Sequence, residues 1–235
     1  MIDLRSDTLT LPDRPMLETI LTAKLGDDGR ADARGRGEDL AVNELEDLAA
    51  EITGKEEAVL FPSGTMANTA AILTYCRPGD GVLVDEIQHI FITEKVVFDR
   101  NFGRLTPLFY KLNGRNVPDL ESMTVHLRKS PVSLVCVENT HNFSGGFCMS
   151  PEEMGVIKNA AESYGVPVHM DGARLFNAAA ALGVAAADLC AHADSVMFCI
   201  SKGLGAPVGS LLCGTREFIR KARLTRKLLG GNMRQ

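Results

Sequence analysis

From residue 42 onward, the apolar positions of this 235-residue chain switch repeatedly between two spacings. Residues 42–52 carry them at helical intervals. Residues 58–61 form a short continuous apolar run, and 65–76 return to a helix ahead of the turn Pro78-Gly-Asp80. Runs at 82–84, 105–109, 132–137 and 166–170 have strand lengths. Between them, 119–128 and 151–164 read as amphipathic helices, the second opened by Ser150 as N-cap and Pro151 at the first helical position. Strands at 194–200 and 209–213 precede a basic helix over about 215–229. Apolar runs without polar alternation predict strands covered on both faces, and strands alternating with helices predict an α/β domain with a mostly parallel sheet.

Two segments do not follow this pattern. Residues 26–37, glycine-rich and charged with no periodicity, read as an irregular loop, either a surface insertion or part of an active site. Residues 230–235 follow the last helix without forming another packed element. The expected organisation is therefore an N-terminal segment over 1–40 and a principal domain over 41–235.

Composition narrows the setting. Hydrophobic residues at 45% and charged residues at 23% fit a soluble globular protein, and a net charge of -5 gives no support for nucleic acid or an anionic membrane as partner. The N-terminus carries charges where a secretory signal needs an apolar stretch, and the longest small-apolar run, 178–187, is too short to span a bilayer. A cytoplasmic location is expected. The six cysteines lack a C-x-x-C pair and several sit inside apolar runs, which predicts free buried thiols. None of the five histidines has zinc-ligand spacing with them, so no metal is expected.

The chemistry-bearing residues fall at the ends of the predicted strands. Lys202 follows the run 196–200 and precedes Gly203, Gly205 and Pro207. A lysine there needs a partner, a lowered pKa or a covalent bond, and ligands of open α/β sheets gather at such strand ends. Ser63-Gly-Thr-Met-Ala-Asn68 lies between a short strand and a helix, so its first N–H groups and hydroxyls offer an anion site. His169-Met-Asp-Gly-Ala-Arg174 places Asp171 at a strand end as a counter-charge for a cationic ring, with Arg174 beyond it to bind a carboxylate. An anion site, an acid for a ring nitrogen and a lysine for an aldehyde are together what pyridoxal 5'-phosphate requires; His89 or Phe91 is the ring to lie on it.

Six stretches carry a family resemblance. They are Met1-Ile-Asp-Leu-Arg-Ser-Asp-Thr8, Pro62-Ser-Gly-Thr-Met-Ala-Asn68, Glu138-Asn-Thr-His-Asn142, Asp171-Gly-Ala-Arg-Leu-Phe-Asn177, Ser201-Lys-Gly-Leu-Gly-Ala-Pro-Val-Gly209 and Gly230-Gly-Asn-Met-Arg-Gln235. Together they resemble the low-specificity threonine aldolases, β-eliminating lyases of the aspartate-aminotransferase fold. The resemblance implies a three-layer αβα architecture with a mostly parallel mixed sheet, the large domain of fold type I pyridoxal-phosphate enzymes. It also implies Lys202 bonded to the cofactor aldehyde, Asp171 at the pyridine nitrogen and His89 stacked on the ring. Gly64, Thr65 and Ser201 are implied at the phosphate, Ser6 and Arg174 at the amino-acid carboxylate, and His141 near the β-hydroxyl.

Family members assemble as tetramers of close dimers, with a lysine matching Lys227 reaching a neighbouring subunit's phosphate. They also continue past the point matching Gln235 into a small C-terminal domain, so the expectation is a chain without it. The implied reaction splits a β-hydroxy amino acid into glycine and an aldehyde, with His89, His141 or a water held by them as base. A racemase or β-eliminating lyase on the same scaffold, or an inactive shortened homologue, are the alternatives. The chain departs from the family in the expanded 26–37 stretch and in Thr93, where an aromatic residue is usual.

Overall fold

The computed structural model describes residues 3–33 and 35–235; Met1 and Ile2 of the N-terminal motif and Arg34 of the 26–37 loop lie outside the described residues. Within the described residues, α1 (Arg14–Glu18) and α2 (Leu40–Thr53) precede β1 (Glu57–Phe61), α3 (Gly64–Tyr75), β2 (Gly81–Asp85) and β3 (Thr106–Tyr110). Next come α4 (Leu120–Lys129), β4 (Val132–Glu138), α5 (Pro151–Glu162) and β5 (Val168–Asp171). The chain continues through α6 (Leu175–Leu182), α7 (Ala186–Cys190), β6 (Ser195–Cys199), β7 (Ser210–Gly214) and α8 (Arg216–Leu228).

The strands form one sheet in the order β1-β7-β6-β5-β4-β2-β3. β7 runs antiparallel to both of its neighbours, β1 and β6, while the remaining pairs are parallel. The sheet is therefore mixed and mostly parallel, as the alternation of elements predicts. Successive side chains of a strand point to opposite faces, and both faces are buried. Leu83, Val135, Met170 and Phe198 pack toward Ala49 of α2, Met123 of α4, Ile157 of α5 and Leu189 of α7. On the other face, Val59, Met197 and Leu212 meet α3 and α8, and Val82, Leu134 and Cys136 meet Ile72. Three layers result.

Local signals set the helix ends. Asp39, Ser63, Asp119, Ser150 and Thr215 each cap a helix by accepting a hydrogen bond from a first-turn N–H, and Ser150 with Glu153 closes a capping box. The small-apolar stretch 178–187 belongs to α6 and the start of α7, two helices that the strand-and-helix pattern does not single out. No helix among the described residues is long and apolar enough to cross a membrane. All six cysteines are free.

The 26–37 loop is anchored to the C-terminal segment. Asp28 forms a buried 2.9 Å ion pair with Arg226 of α8, and its backbone N–H donates to Arg234 O at 2.9 Å. Arg234 also bridges to Asp27 at 3.1 Å, and Arg36 of the loop pairs with Asp47 of α2 at 2.8 Å. Residues 230–235 form no helix or strand, yet they are the other half of this junction.

Candidate active site

At the carboxyl ends of the parallel strands lies a cavity of about 520 Å³, the place where open α/β sheets hold ligands. Four walls converge on it. The turn after β1 and the start of α3 contribute Ser63, Gly64 and Thr65; the end of β5 contributes Asp171; the turn after β6 contributes Ser201 and Lys202; the N-terminal segment contributes Ser6 and Thr8. His89 and Glu94 close another side.

Gly64 and Thr65 are the first two residues of a twelve-residue helix, so their N–H groups have no intrahelical acceptor and lie at the positive end of the helix dipole. Gly64 sits against the sheet: a Cβ there would meet Cys199 Sγ at 2.9 Å. Lys202 lies three residues past the end of β6, in a turn held by Gly205 N to Lys202 O at 2.9 Å and Ala206 N to Ile200 O at 2.9 Å. Gly205 and Gly209 take φ values of 78° and 118° in this turn, conformations that only glycine adopts without strain.

Asp171 is 1% exposed. Its Oδ1 accepts from Ala173 N at 3.1 Å and its Oδ2 from Asn68 Nδ2 at 3.0 Å. Burial, reinforced by the Glu138 and Glu94 charges, pushes its pKa up to about 7, although His89 and Lys202 pull it down. A cation set against this carboxylate reverses that shift. A ring nitrogen that becomes positive on protonation fits this position, a lysine lies across the cavity for the aldehyde, and a helix N-terminus is present for the phosphate. The donor set therefore suits pyridoxal 5'-phosphate. His89, Glu94 and Asp171 also bring donor atoms within 4.8 Å of one another, but Asn68 Nδ2 already donates to both carboxylates.

His89 Nδ1 lies 3.2 Å from Glu94 Oε1. That hydrogen bond is the main reason its pKa is raised, with the Asp171, Glu94 and Glu138 charges adding to it against burial. Glu138, at the end of β4, accepts from His89 N and from Asn142 N, each at 2.8 Å, and burial raises its pKa. Arg174 grips Asp7, with Nε to Oδ2 at 2.8 Å and Nη2 to Oδ1 at 2.6 Å, and Nη1 donates to Asn142 Oδ1 at 3.3 Å.

A family model described as beta-eliminating lyase matches residues 3–235. The chain belongs to the beta-eliminating lyase family. It is 41% identical to low-specificity L-threonine aldolase 1 of Arabidopsis thaliana, over 100% of this chain and 66% of that protein. It is 37% identical to the low specificity L-threonine aldolase of Escherichia coli strain K12, over 100% of this chain and 69% of that protein. The chain thus spans about two thirds of the length of these curated relatives. The threonine aldolase structure from Leishmania major superposes with a TM-score of 0.81 at 18% identity, covering 98% of this chain and 67% of that one, a likeness of fold. This beta-eliminating lyase family member shares with that structure its three-layer architecture around a mostly parallel mixed sheet.

In this member of the beta-eliminating lyases, the cavity gathers Ser6, Gly64, Thr65, His89, Asp171, Arg174, Ser201 and Lys202. His141 and Lys227 are not among its lining residues. The His141 ring is buried, with Nε2 3.2 Å from Asp85 Oδ2 and Nδ1 accepting from Ser144 N at 3.2 Å. Burial opposes its protonation, but the Asp85 hydrogen bond and the surrounding carboxylates outweigh it and raise its pKa. Lys227 lines a second cavity of about 300 Å³, together with Asp28, Arg220 and Arg223, whose loop side is the 26–37 segment. None of the described residues of that segment, expected as an insertion or an active-site loop, lines the first cavity. Phe91, the other ring considered for the cofactor, packs edge-to-face on Phe98 and Phe109 instead. Asn68, Glu94, Glu138 and the Asp7 partner of Arg174 are the site residues that sequence reasoning leaves without a role. Glu94 lies five residues past His89, a spacing that ordinary helical periodicity does not place on one face.

Proposed function

We propose that this chain binds pyridoxal 5'-phosphate and cleaves threonine, allo-threonine and similar β-hydroxy amino acids to glycine and an aldehyde. The observation that carries this reading is the meeting of Lys202, Asp171, the α3 N-terminus and Arg174 on one cavity. The 41% identity to a low-specificity L-threonine aldolase supports the substrate class.

When bound, the cofactor supplies an electron sink for the charge left on Cα as the Cα–Cβ bond breaks. Lys202 Nζ holds its aldehyde carbon. Asp171 keeps the proton on the ring nitrogen, which requires the ionised carboxylate that a cationic partner favours. Gly64, Thr65 and Ser201 take the phosphate by backbone N–H and hydroxyl donation. Ser6 and Arg174 bind the amino-acid carboxylate, the guanidinium offering its fork in the way it now grips Asp7.

His89 covers the cofactor ring and takes the β-hydroxyl proton. Its Nδ1–H donates to the Glu94 carboxylate, which leaves Nε2 as the basic nitrogen. His141, with both ring nitrogens engaged by Asp85 and Ser144, acts from behind by fixing the 139–142 segment.

Assembly with further copies belongs to the same reading. Leu4, Leu11, Leu17, Ile20, Leu21 and Leu25 form an exposed apolar series along the N-terminal segment, a surface that suits burial in a homodimer or homotetramer. Lys227, outside its own cavity, then reaches the phosphate site of a second copy.

Absorbance of the purified chain with added pyridoxal phosphate, followed by assays for glycine and aldehyde from L-threonine and L-allo-threonine, tests the proposal. A cofactor band near the visible edge that is lost in Lys202→Ala, with aldehyde release by the unmodified chain, is expected. Racemisation of alanine without aldehyde release would overturn the reaction, and no band in the unmodified chain would overturn the cofactor.

A further inference from the structure

Behind Asp171 the sheet carries a run of hydrogen bonds that the chemistry above does not use. His169 and Asp171 sit two residues apart on β5, so both point to the face covered by α3. The His169 ring has Nδ1 2.9 Å from Ser195 Oγ and Nε2 3.1 Å from Asn68 Oδ1. From its other end, the Asn68 amide donates Nδ2–H to Asp171 Oδ2 at 3.0 Å and to Glu94 Oε1 at 3.1 Å. The same Glu94 oxygen meets His89 Nδ1 at 3.2 Å. Asn68 and His169 are both 0% exposed.

The polarity of this run follows from what each group can donate. The Asn68 Nδ2 lies on a carboxylate oxygen of each of Asp171 and Glu94, which accept from it, and its carbonyl oxygen faces His169. A carbonyl oxygen also only accepts, so His169 carries its proton on Nε2 and takes the Ser195 hydroxyl proton at Nδ1. Burial lowers the His169 pKa to about 3, which keeps the ring neutral. One amide thus gives one hydrogen to each of two buried carboxylates that otherwise repel each other.

We propose that Asn68 is a positioning residue, oriented by His169, that fixes Asp171 against the cofactor's ring nitrogen and ties it to the His89–Glu94 pair. The proposal rests on the pyridoxal-phosphate reading. Asn68 belongs to the same motif as the phosphate-facing Gly64 and Thr65, so one helix start serves both ends of the cofactor. Other titratable groups facing this junction include Glu138 and Cys136 from β4, His141 after it, Cys199 from β6, Lys202 from the turn that follows, and Tyr75 of α3, which meets Ser195.

Two measurements test it. In the cofactor-free protein, nitrogen-15 NMR of the histidine rings is expected to show His169 as the neutral Nε2–H form from about pH 5 to about pH 9; a cationic or Nδ1–H ring would overturn the orientation of Asn68. In Asn68→Ala, the dissociation constant for pyridoxal phosphate is expected to rise about tenfold and the pH profile of the cofactor absorbance to shift. His169→Leu should show the same changes, and His169→Gln, which keeps an N–H for Asn68 Oδ1, should recover most of them. A folded Asn68→Ala protein with unchanged affinity and pH profile sinks the proposal alone. An unmodified chain that takes up no pyridoxal phosphate sinks the functional reading as well. If Asn68→Ala does not fold, the NMR result on the unmodified protein decides.

Discussion

Asp7 and Arg174 form a two-pronged ion pair across 167 positions of sequence, with hydrogen bonds of 2.8 and 2.6 Å. The Arg174 guanidinium holds the Asp7 carboxyl below its ordinary 3.8. A carboxylate whose pKa is lowered by folding contributes stability that is full above the ordinary value and is lost as pH falls through the lower, folded one. Amide protection around residues 5–10, taken relative to intrinsic exchange at each pH, is therefore expected to be full at neutral pH and to fall only in acid below pH 3.8. Asp7→Asn should show the lowered protection at neutral pH, and identical protection in both proteins would remove the pair as the anchor.

Gly64 lies where α3 meets the sheet. A methyl group there would press on Cys199 Sγ at 2.9 Å, with Met197 Cε at 3.4 Å and Ser210 Oγ at 3.5 Å behind it. Gly64→Ala should lower stability by about 1–3 kcal/mol and weaken cofactor binding, because the helix start must shift. Adding Cys199→Ala removes the closest atom and should restore most of both. Thermal unfolding and cofactor titration of the single and double variants check this.

Glu94 raises the pKa of His89 above 6.5 through the Nδ1 hydrogen bond. A histidine raised in this way contributes stability that is full below its ordinary pKa and fades as pH rises through the folded value. Glu94→Gln should move the His89 titration down toward 6.5, so the loss comes at lower pH. NMR titration of the ring protons reads this directly, and an unmoved curve would count against the Glu94 bond.

The Asp28–Arg226 pair is buried at both ends. Arg226→Met leaves the Asp28 carboxylate without its partner and should cost about 3–5 kcal/mol in denaturant unfolding, while the double change Asp28→Leu with Arg226→Met should recover much of it. A single-variant cost below about 1 kcal/mol would mean that the pair does not hold the loop.

The apolar runs made the sheet legible because both its faces are covered: 132–137 became Val132–Glu138, and 209–213 became Ser210–Gly214. The reversed direction of β7 was not legible, since a strand's apolar pattern reads the same from either end. α6 and α7 were missed because alanine-rich segments show little contrast between buried and exposed faces. Within the site, Lys202 and Asp171 were visible because a charged residue at the end of an apolar run needs a reason. Asp7 and Glu94 were not, because their partners are chosen by the folded geometry: Arg174 lies far along the chain, and the turn Ile90–Glu94 brings Glu94 back onto His89. The 26–37 segment was legible as irregular but not as fixed, since its ion pairs reach α2, α8 and Arg234.

The place of β7 in the sheet has a consequence for the order in which a growing chain becomes competent. Among the described residues, β1 pairs in the sheet with β7 alone, joining Glu57–Phe61 to residues 210–214. Until those later residues have left the ribosome, β1 lacks its hydrogen-bonded neighbour, and the start of α3 directly after it lacks a fixed seat. Closing so long a loop is slow. The phosphate end of the cavity is thus expected to mature last in synthesis, after the β2, β3, β4 and β5 half of the sheet has already been made.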